Sequence, residues 1–409
     1  MRITERFSQH LQRARQTPQA CAVLTEAMLW AQQGPMLWRP ERVELAPSFY
    51  PVYCWQDLYS HSLLTLILHK GRLDVDPAPL EACVRPEFMF WGGNTTLDRE
   101  IRRVGQAHAY TFRITSADEY AQRLAAALCA DIRAAEARHP GHTNVVLCGG
   151  KDSLNLLLLP WQNPLLALSA EPNYEIVRAF VAANRLPVEV RRLEDAADAD
   201  VQDEEALLAC CRVDLSHWRW GVHLQRIAQE LGPRLLFWKG QLADLYTTPK
   251  WKAFHAHQRP PVTWLRKAYK RFGSWLPRGI DHALGHAIQP HYVQSTWDRS
   301  AALQGCHMEF LRELTGCLFL SAYHGPSVQQ VWCEVDLARA AAADMRPSVG
   351  RILAGRDVRY PEQNPAPPVS PFRRQLGTPT RFFDLLDQVH FPHSGYRERG
   401  ARPAASRQP

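Results

Sequence analysis

Short apolar runs separated by amphipathic stretches dominate the middle of the chain. Asn144-Val145-Val146-Leu147-Cys148 runs into Gly149 and Gly150, and Lys151, Asp152 and Ser153 lead on to the apolar run Leu154 to Leu159, closed by Pro160. This pattern predicts a strand, a tight loop and a helix over 152–159. The alternation continues with strands over 164–170, 188–193 and 233–238 and helices over 173–184 and 218–231. Short apolar strands alternating with helices predict βαβ units and a parallel sheet. Just upstream, Tyr120, Leu124, Ala127, Leu128, Ile132 and Ala135 recur at helical spacing and predict an amphipathic helix over 118–137.

The flanks carry weaker patterns. Cys21, Leu24, Ala27, Met28, Trp30 and Ala31 suggest helix within 1–42, and Ser62 to His69 reads as a β-type run. Phe88–Leu97 and Ile101–Phe112 suggest a hairpin. Residues 194–206 are acidic and predict an exposed loop. From 251 to 345 the pattern is helical, with a strongly apolar helix over Met308–Tyr323. Residues 360–409 are rich in Pro and Arg; one short helix over 380–389 is expected, and disorder over roughly the last 15 residues.

Composition narrows the class. A chain of 409 residues suggests two domains. No run of 18 uncharged apolar residues occurs, so no transmembrane helix is expected. The start, Met1 to Phe7, lacks an apolar signal core. Ten cysteines without a CxxC pair point to reduced thiols in the cytoplasm rather than to zinc or disulfides. His282 and His286 lie four apart but lack the glutamate of a metalloprotease helix, because Ala283 stands there. The net charge of +7 suits a polyanion such as ATP, yet no dense Lys/Arg stripe or RNA-binding aromatic signature is present, so nucleic acid is not expected.

The loop after the first strand holds the strongest chemistry. Gly149 and Gly150 let backbone N–H groups approach an anion, and a helix opening at Asp152 and Ser153 favours negative charge. Lys151 supplies a point charge suited to phosphate, and Asp152 a hard oxygen for magnesium. The plain alternative is a βα turn with a helix cap. In parallel sheets ligands sit at the carboxyl ends of strands, where Cys148 and Ser169 lie. Lys239 ends another strand facing the same crevice and with Lys151 could neutralise a polyphosphate; an exposed surface lysine is the alternative.

Gly149-Gly150-Lys151-Asp152-Ser153 resembles the S-G-G-x-D-S pyrophosphate loop of N-type ATP pyrophosphatases. Lys239-Gly240-Gln241-Leu242-Ala243-Asp244-Leu245 resembles the S-G-E-G-A-D-E loop of the asparagine synthetase-like branch, matching at Gly240, Ala243 and Asp244. His324-Gly325-Pro326-Ser327-Val328-Gln329 looks like its R-x-P-F-L-D motif, with Pro326 kept. The resemblance implies ATP and Mg2+ as cofactors, with magnesium shared by Asp152 and Asp244. It places the phosphates at 148–153 and the adenine at backbone groups of Leu168, Ser169 and Ala170. It aligns Glu175 and Ala179 with an acidic residue and an alanine. Gln241 stands where the family has a catalytic glutamate. The family's late lysine has no counterpart, since Lys270 is the last lysine, and Arg356 and Arg359 lie nearest to its place. The family's glutaminase nucleophile, a Cys after the initiator Met, is Arg2 here, so no glutamine hydrolysis is expected.

The expected fold is α/β, a parallel sheet of the ATP-pyrophosphatase (adenine nucleotide α-hydrolase-like) type with a helical C-terminal half and a small α+β N-terminal domain. Expected boundaries are 1–115 for a reduced, glutaminase-like domain, 116–390 for the ATP-binding domain and 391–409 for a tail. The expected activity is amide formation: a small-molecule or peptide carboxylate is adenylated and passed to an amine, with AMP and pyrophosphate released, possible settings being natural-product or modified-peptide biosynthesis. No membrane partner is expected, and a homodimer is compatible. Two alternatives stand beside this: a degenerate nucleotide-binding homologue, and an adenylating enzyme with a thiol or nucleobase acceptor.

Overall fold

The computed structural model describes residues 17–25, 28, 37–45, 52–60, 63–71, 99–104, 109–193, 218–240, 243–249, 311, 315–341 and 343–362. They contain two five-stranded sheets.

The first sheet comprises β1 (Gln19–Thr25), β2 (Trp38–Glu44), β3 (Val52–Trp55), β4 (Leu58–Ser60) and β5 (Arg102–Val104), with α1 (Leu63–Lys70) between the last two. Its order is β1-β2-β4-β3-β5; β1 and β2 are parallel and the other pairs antiparallel. Leu24, Trp38, Leu45 and Val52 form its core. Two sequence expectations are corrected here. Within the expected helix of 1–42, residues 19–25 and 38–42 are strand, because β1 pairs along its length with β2, from Gln19↔Trp38 to Thr25↔Glu44. That ladder satisfies the backbone and outweighs a loose helical spacing. Leu63–Lys70 is helix rather than strand: the run is leucine-rich, and leucine is a strong helix former. Residues 102–104 pair with β3. Their expected partner, 88–97, lies outside the described residues, as do 194–206, 251–310 and 363–409.

The second sheet is α/β and wholly parallel. In chain order come α2 (Ala117–Arg138), β6 (Thr143–Leu147), α3 (Lys151–Leu154) with a 3-10 turn over Asn155–Leu158, β7 (Leu165–Ala170), α4 (Tyr174–Ala183) and β8 (Glu189–Leu193). Then follow α5 (Trp218–Leu231), β9 (Leu235–Lys239), α6 (Ala243–Thr247), β10 (Leu318–Ser321), α7 (Pro326–Glu334), α8 (Leu337–Ala340) and α9 (Arg346–Ala354). The strand order is β10-β9-β6-β7-β8. The helix expected over 308–323 is corrected: Leu318-Phe319-Leu320-Ser321 is the edge strand β10, paired with β9. A fully buried apolar run reads alike as helix or strand, and here the open edge of β9 decides.

α2 anchors this sheet. Ser116 caps it by accepting from the Glu119 amide at 3.0 Å, and Tyr120, Leu124, Leu128 and Ile132 turn inward against α7 and α9. At its far end Glu136 is buried and accepts from Asn144 Nδ2 at 2.7 Å and from the Asn163 and Gln162 amides at 2.9 and 3.1 Å. Asn144 Oδ1 in turn accepts from Trp238 Nε1 at 2.9 Å. These bonds tie α2, β6 and β9 together at the amino edge of the sheet. Among the described residues no helix is long and apolar enough to cross a membrane.

Candidate functional site

The chain enters the sheet at β6, proceeds through β7 and β8 on one side, and returns to fill β9 and β10 on the other. The order therefore reverses between β6 and β9, and a crevice opens outside the carboxyl ends of the strands at such a switch point. Leu147 and Lys239, the last residues of β6 and β9, are matched in register. The chain thus leaves β6 and β9 at adjacent points, and the helices that come next, α3 and α6, touch.

The first loop is held from inside. Ser169 Oγ donates to the Cys148 carbonyl at 2.7 Å, Asn173 Nδ2 to the Gly149 carbonyl at 2.7 Å, and Ser153 Oγ to the Gly150 carbonyl at 2.9 Å. Three successive carbonyls of the loop are thus held by side chains of the protein. Three amides of the loop are spent within the protein: Cys148 N–H donates to the Leu168 carbonyl at 2.8 Å, Gly149 N–H to Ser153 Oγ at 3.1 Å and Ser153 N–H to the Gly150 carbonyl at 3.2 Å. Ser153 is therefore a brace of the loop, and Ser169 pins it to β7. Gly150 caps α3 at φ 155° and ψ −165°, a backbone region open essentially to glycine alone. Gly149 is exposed, and a Cβ built on it would meet nothing within 4 Å, so space lies directly over the loop.

Electrostatics separate the candidates. The Cys148 thiol is buried, and burial pushes its pKa up to about 12 despite its hydrogen bond with Ser153, so it is held as a thiol. Lys239 keeps part of its surface exposed, but burial pushes its pKa down to about 8. Lys151, Asp152 and Asp244 stand in the first turns of α3 and α6. Their side chains are outside the described set, so the structure brings together their backbone positions only. Leu168 is matched with Leu147 across β6 and β7, and Gly240 is buried directly after Lys239. Gln241 lies outside the described residues.

Other expected residues are placed elsewhere. α4 starts at the carboxyl edge and runs back, so Asn184, which caps its end, lies at the amino edge. Arg356 donates to the Asn184 carbonyl, and the Arg359 amide donates to Asn184 Oδ1 at 2.9 Å. The Arg356 side chain and the Arg359 amide are thus held at this helix end, while the next residue, Tyr360, donates to Asn155 Oδ1 just after α3 and to the Arg346 carbonyl. Glu175 is exposed and pairs with Arg178 at 3.2 Å on the outer surface of α4. His324 is buried and burial pushes its pKa down to about 3, so it stays neutral. Its carbonyl accepts from Gln329 Nε2 at 2.5 Å. Asp131 of α2 caps α7 by accepting from the Ser327 and Val328 amides, each at 3.1 Å. A side chain at Gly325 would collide with that carboxylate at 1.9 Å. The stretch 324–329 thus serves a helix start.

Two residues of the edge escaped the sequence reading. Asn173 holds the loop, and its Oδ1 is buried with no partner among the described residues. A helix-opening Asn three residues past a strand was the available signal. Ser321, at the end of β10, was hidden inside the expected helix. No protein-family model matches this chain, and no curated protein matches it.

Proposed function

We propose that the chain is an ATP-dependent, AMP-forming ligase of the asparagine synthetase-like class of N-type ATP pyrophosphatases. One observation carries this reading: the register Leu147↔Lys239 sets two glycine-containing loops, each opening a helix with an aspartate in its first turn, at the switch point of a parallel sheet. The loop geometry suits a polyphosphate, since its carbonyls are held by side chains of the protein and open space lies over Gly149. Gly150 and Lys151 would face the phosphates, with Lys239 closing the charge balance from the next strand. The unpartnered Asn173 Oδ1 suits a ribose hydroxyl or adenine amino group, beside the backbone of Leu168 and Ser169. Asp152 and Asp244 would hold magnesium, which offsets phosphate charge when bound.

In the proposed reaction a substrate carboxylate displaces pyrophosphate from the α-phosphorus of ATP, and an amine then displaces AMP to leave an amide. The residues above bind and orient the reactants, which is most of what phosphoryl-type transfer asks of a protein. ATP–pyrophosphate exchange across a panel of carboxylates tests this. Exchange with one of them, lost in Asp152→Ala and in Asp244→Ala, is the expected result. Binding of MgATP that survives both substitutions would overturn the shared-metal assignment.

A second reading, nucleotide binding without catalysis, draws on the buried neutral His324 and on the arginines fastened at Asn184. Tight MgATP binding with no exchange on any carboxylate would favour it. The thiol-acceptor alternative loses its nearest nucleophile, because Cys148 is held protonated.

A further inference from the structure

The last residues of β9 and β10 stand side by side, Ser321 matched with Lys239. Matched residues of parallel strands point to the same face. The same register matches Phe319 with Phe237, whose rings stack 4.5 Å apart and 10° from parallel on that face. Lys239 and Ser321 continue this row one step further, to the carboxyl edge. Both phenylalanines are fully buried, so the pair rests on a dry aromatic floor.

Ser321 is 1% exposed, and its hydroxyl has no hydrogen-bond partner among the described residues. A buried polar group in that condition costs free energy that a bonded one does not. The other serines of this edge are used within the protein, Ser153 on the loop and Ser169 on the Cys148 carbonyl. Ser321 is thus a buried donor at the carboxyl edge of the sheet, matched in register with Lys239, with no acceptor among the described residues.

We propose that Ser321 and Lys239 form an oxyanion subsite at the ends of β10 and β9, a hydroxyl and an ammonium converging on one charged oxygen. The inference rests on the carboxyl edge being a ligand site, and it extends that site to a third strand. A phosphate of the nucleotide and the carboxylate of the acyl substrate present the same oxygen chemistry.

The test uses the full chain, as wild type, Ser321→Ala, Ser321→Cys and Lys239→Met, titrated with inorganic tripolyphosphate, MgATP and acetate. Ser321→Ala is expected to raise the Tm of the unliganded protein, because it removes an unpaired buried hydroxyl. It is also expected to weaken one class of probe about tenfold, as befits a hydrogen bond to a charged group. Loss for tripolyphosphate and MgATP assigns the subsite to phosphate; loss for acetate assigns it to the carboxylate. Ser321→Cys, a weaker donor of similar size, should fall between. A lowered Tm with all three affinities unchanged would overturn the proposal, since the hydroxyl would then serve the fold. MgATP binding that needs Asp152 but not Ser321, with acetate also indifferent, would sink the subsite and spare the nucleotide reading. Ser321-dependent tripolyphosphate or acetate binding without MgATP binding would do the reverse.

Discussion

At the end of β9, Lys239 carries its charge where burial disfavours it, and its pKa falls from an ordinary 10.5 to about 8. The sign of the linkage is fixed by that direction. Between about 8 and 10.5 the unfolded chain binds the proton and the folded chain does not, so Lys239 makes stability rise with pH across that window, and its penalty is complete below it. Lys239→Met is therefore expected to raise Tm at pH 7 by a few degrees and to flatten the pH dependence of unfolding between 8 and 10.5, as read by thermal melts. The same variant should bind MgATP about 10- to 100-fold more weakly, the worth of a charged hydrogen bond. Phosphate contact favours the ammonium form, so MgATP binding by the wild type near pH 8 should take up a proton, measured as buffer-dependent binding heat. Gly150 gives a second residue-scale outcome. Alanine at φ 155°, ψ −165° is strained by about 1–3 kcal/mol, so Gly150→Ala should lower unfolding free energy by that amount and weaken MgATP binding more than it weakens the fold.

Among elements, the two edges of the parallel sheet divide the labour. The amino edge is fastened by the Glu136, Asn144 and Trp238 bonds, far from the crevice. Glu136→Ala leaves the buried Asn144 amide and the partly exposed Gln162 and Asn163 N–H groups without this acceptor and should cost about 1–3 kcal/mol in denaturant unfolding. MgATP affinity should not change. Elements were legible in the sequence where chemistry punctuated them. β6, β7 and β9 are short, mainly apolar runs near Gly, Pro or a helix start, β8 mixes apolar and charged residues after Pro187, and all four fall within two residues of expectation. β1, β2 and β10 were read as helix because each is made by a partner strand distant in sequence, which local spacing cannot show. The site followed the same rule. Gly149, Gly150, Asp152, Lys239 and Asp244 could be named as candidates because loop chemistry is local. Ser321 was not, since its meaning depends on β10 lying beside β9. Arg356 was named for its charge, and its place at Asn184, at the end of α4, depends on a contact distant in sequence.

For the whole molecule, the strand order joins two stretches of sequence at one seam. β6, β7 and β8 follow one another closely, while β9 must travel back to pair with β6 and bring β10 with it. A ligand held by Asp152 and Asp244 would bridge that seam and bind only the joined form. MgATP at 100 times its Kd should then add about 2.7 kcal/mol to the unfolding free energy, and Asp244→Ala should abolish that increment.

The Leu147↔Lys239 pairing also bears on the order in which the protein assembles. Contacts between neighbours in sequence close early, and those across long loops close late. The half-sheet β6-β7-β8 is local, so the crevice comes into being only when the distant half arrives. A ligand of this site should therefore leave the rate of folding nearly unchanged and slow unfolding instead, acting as a latch rather than a template.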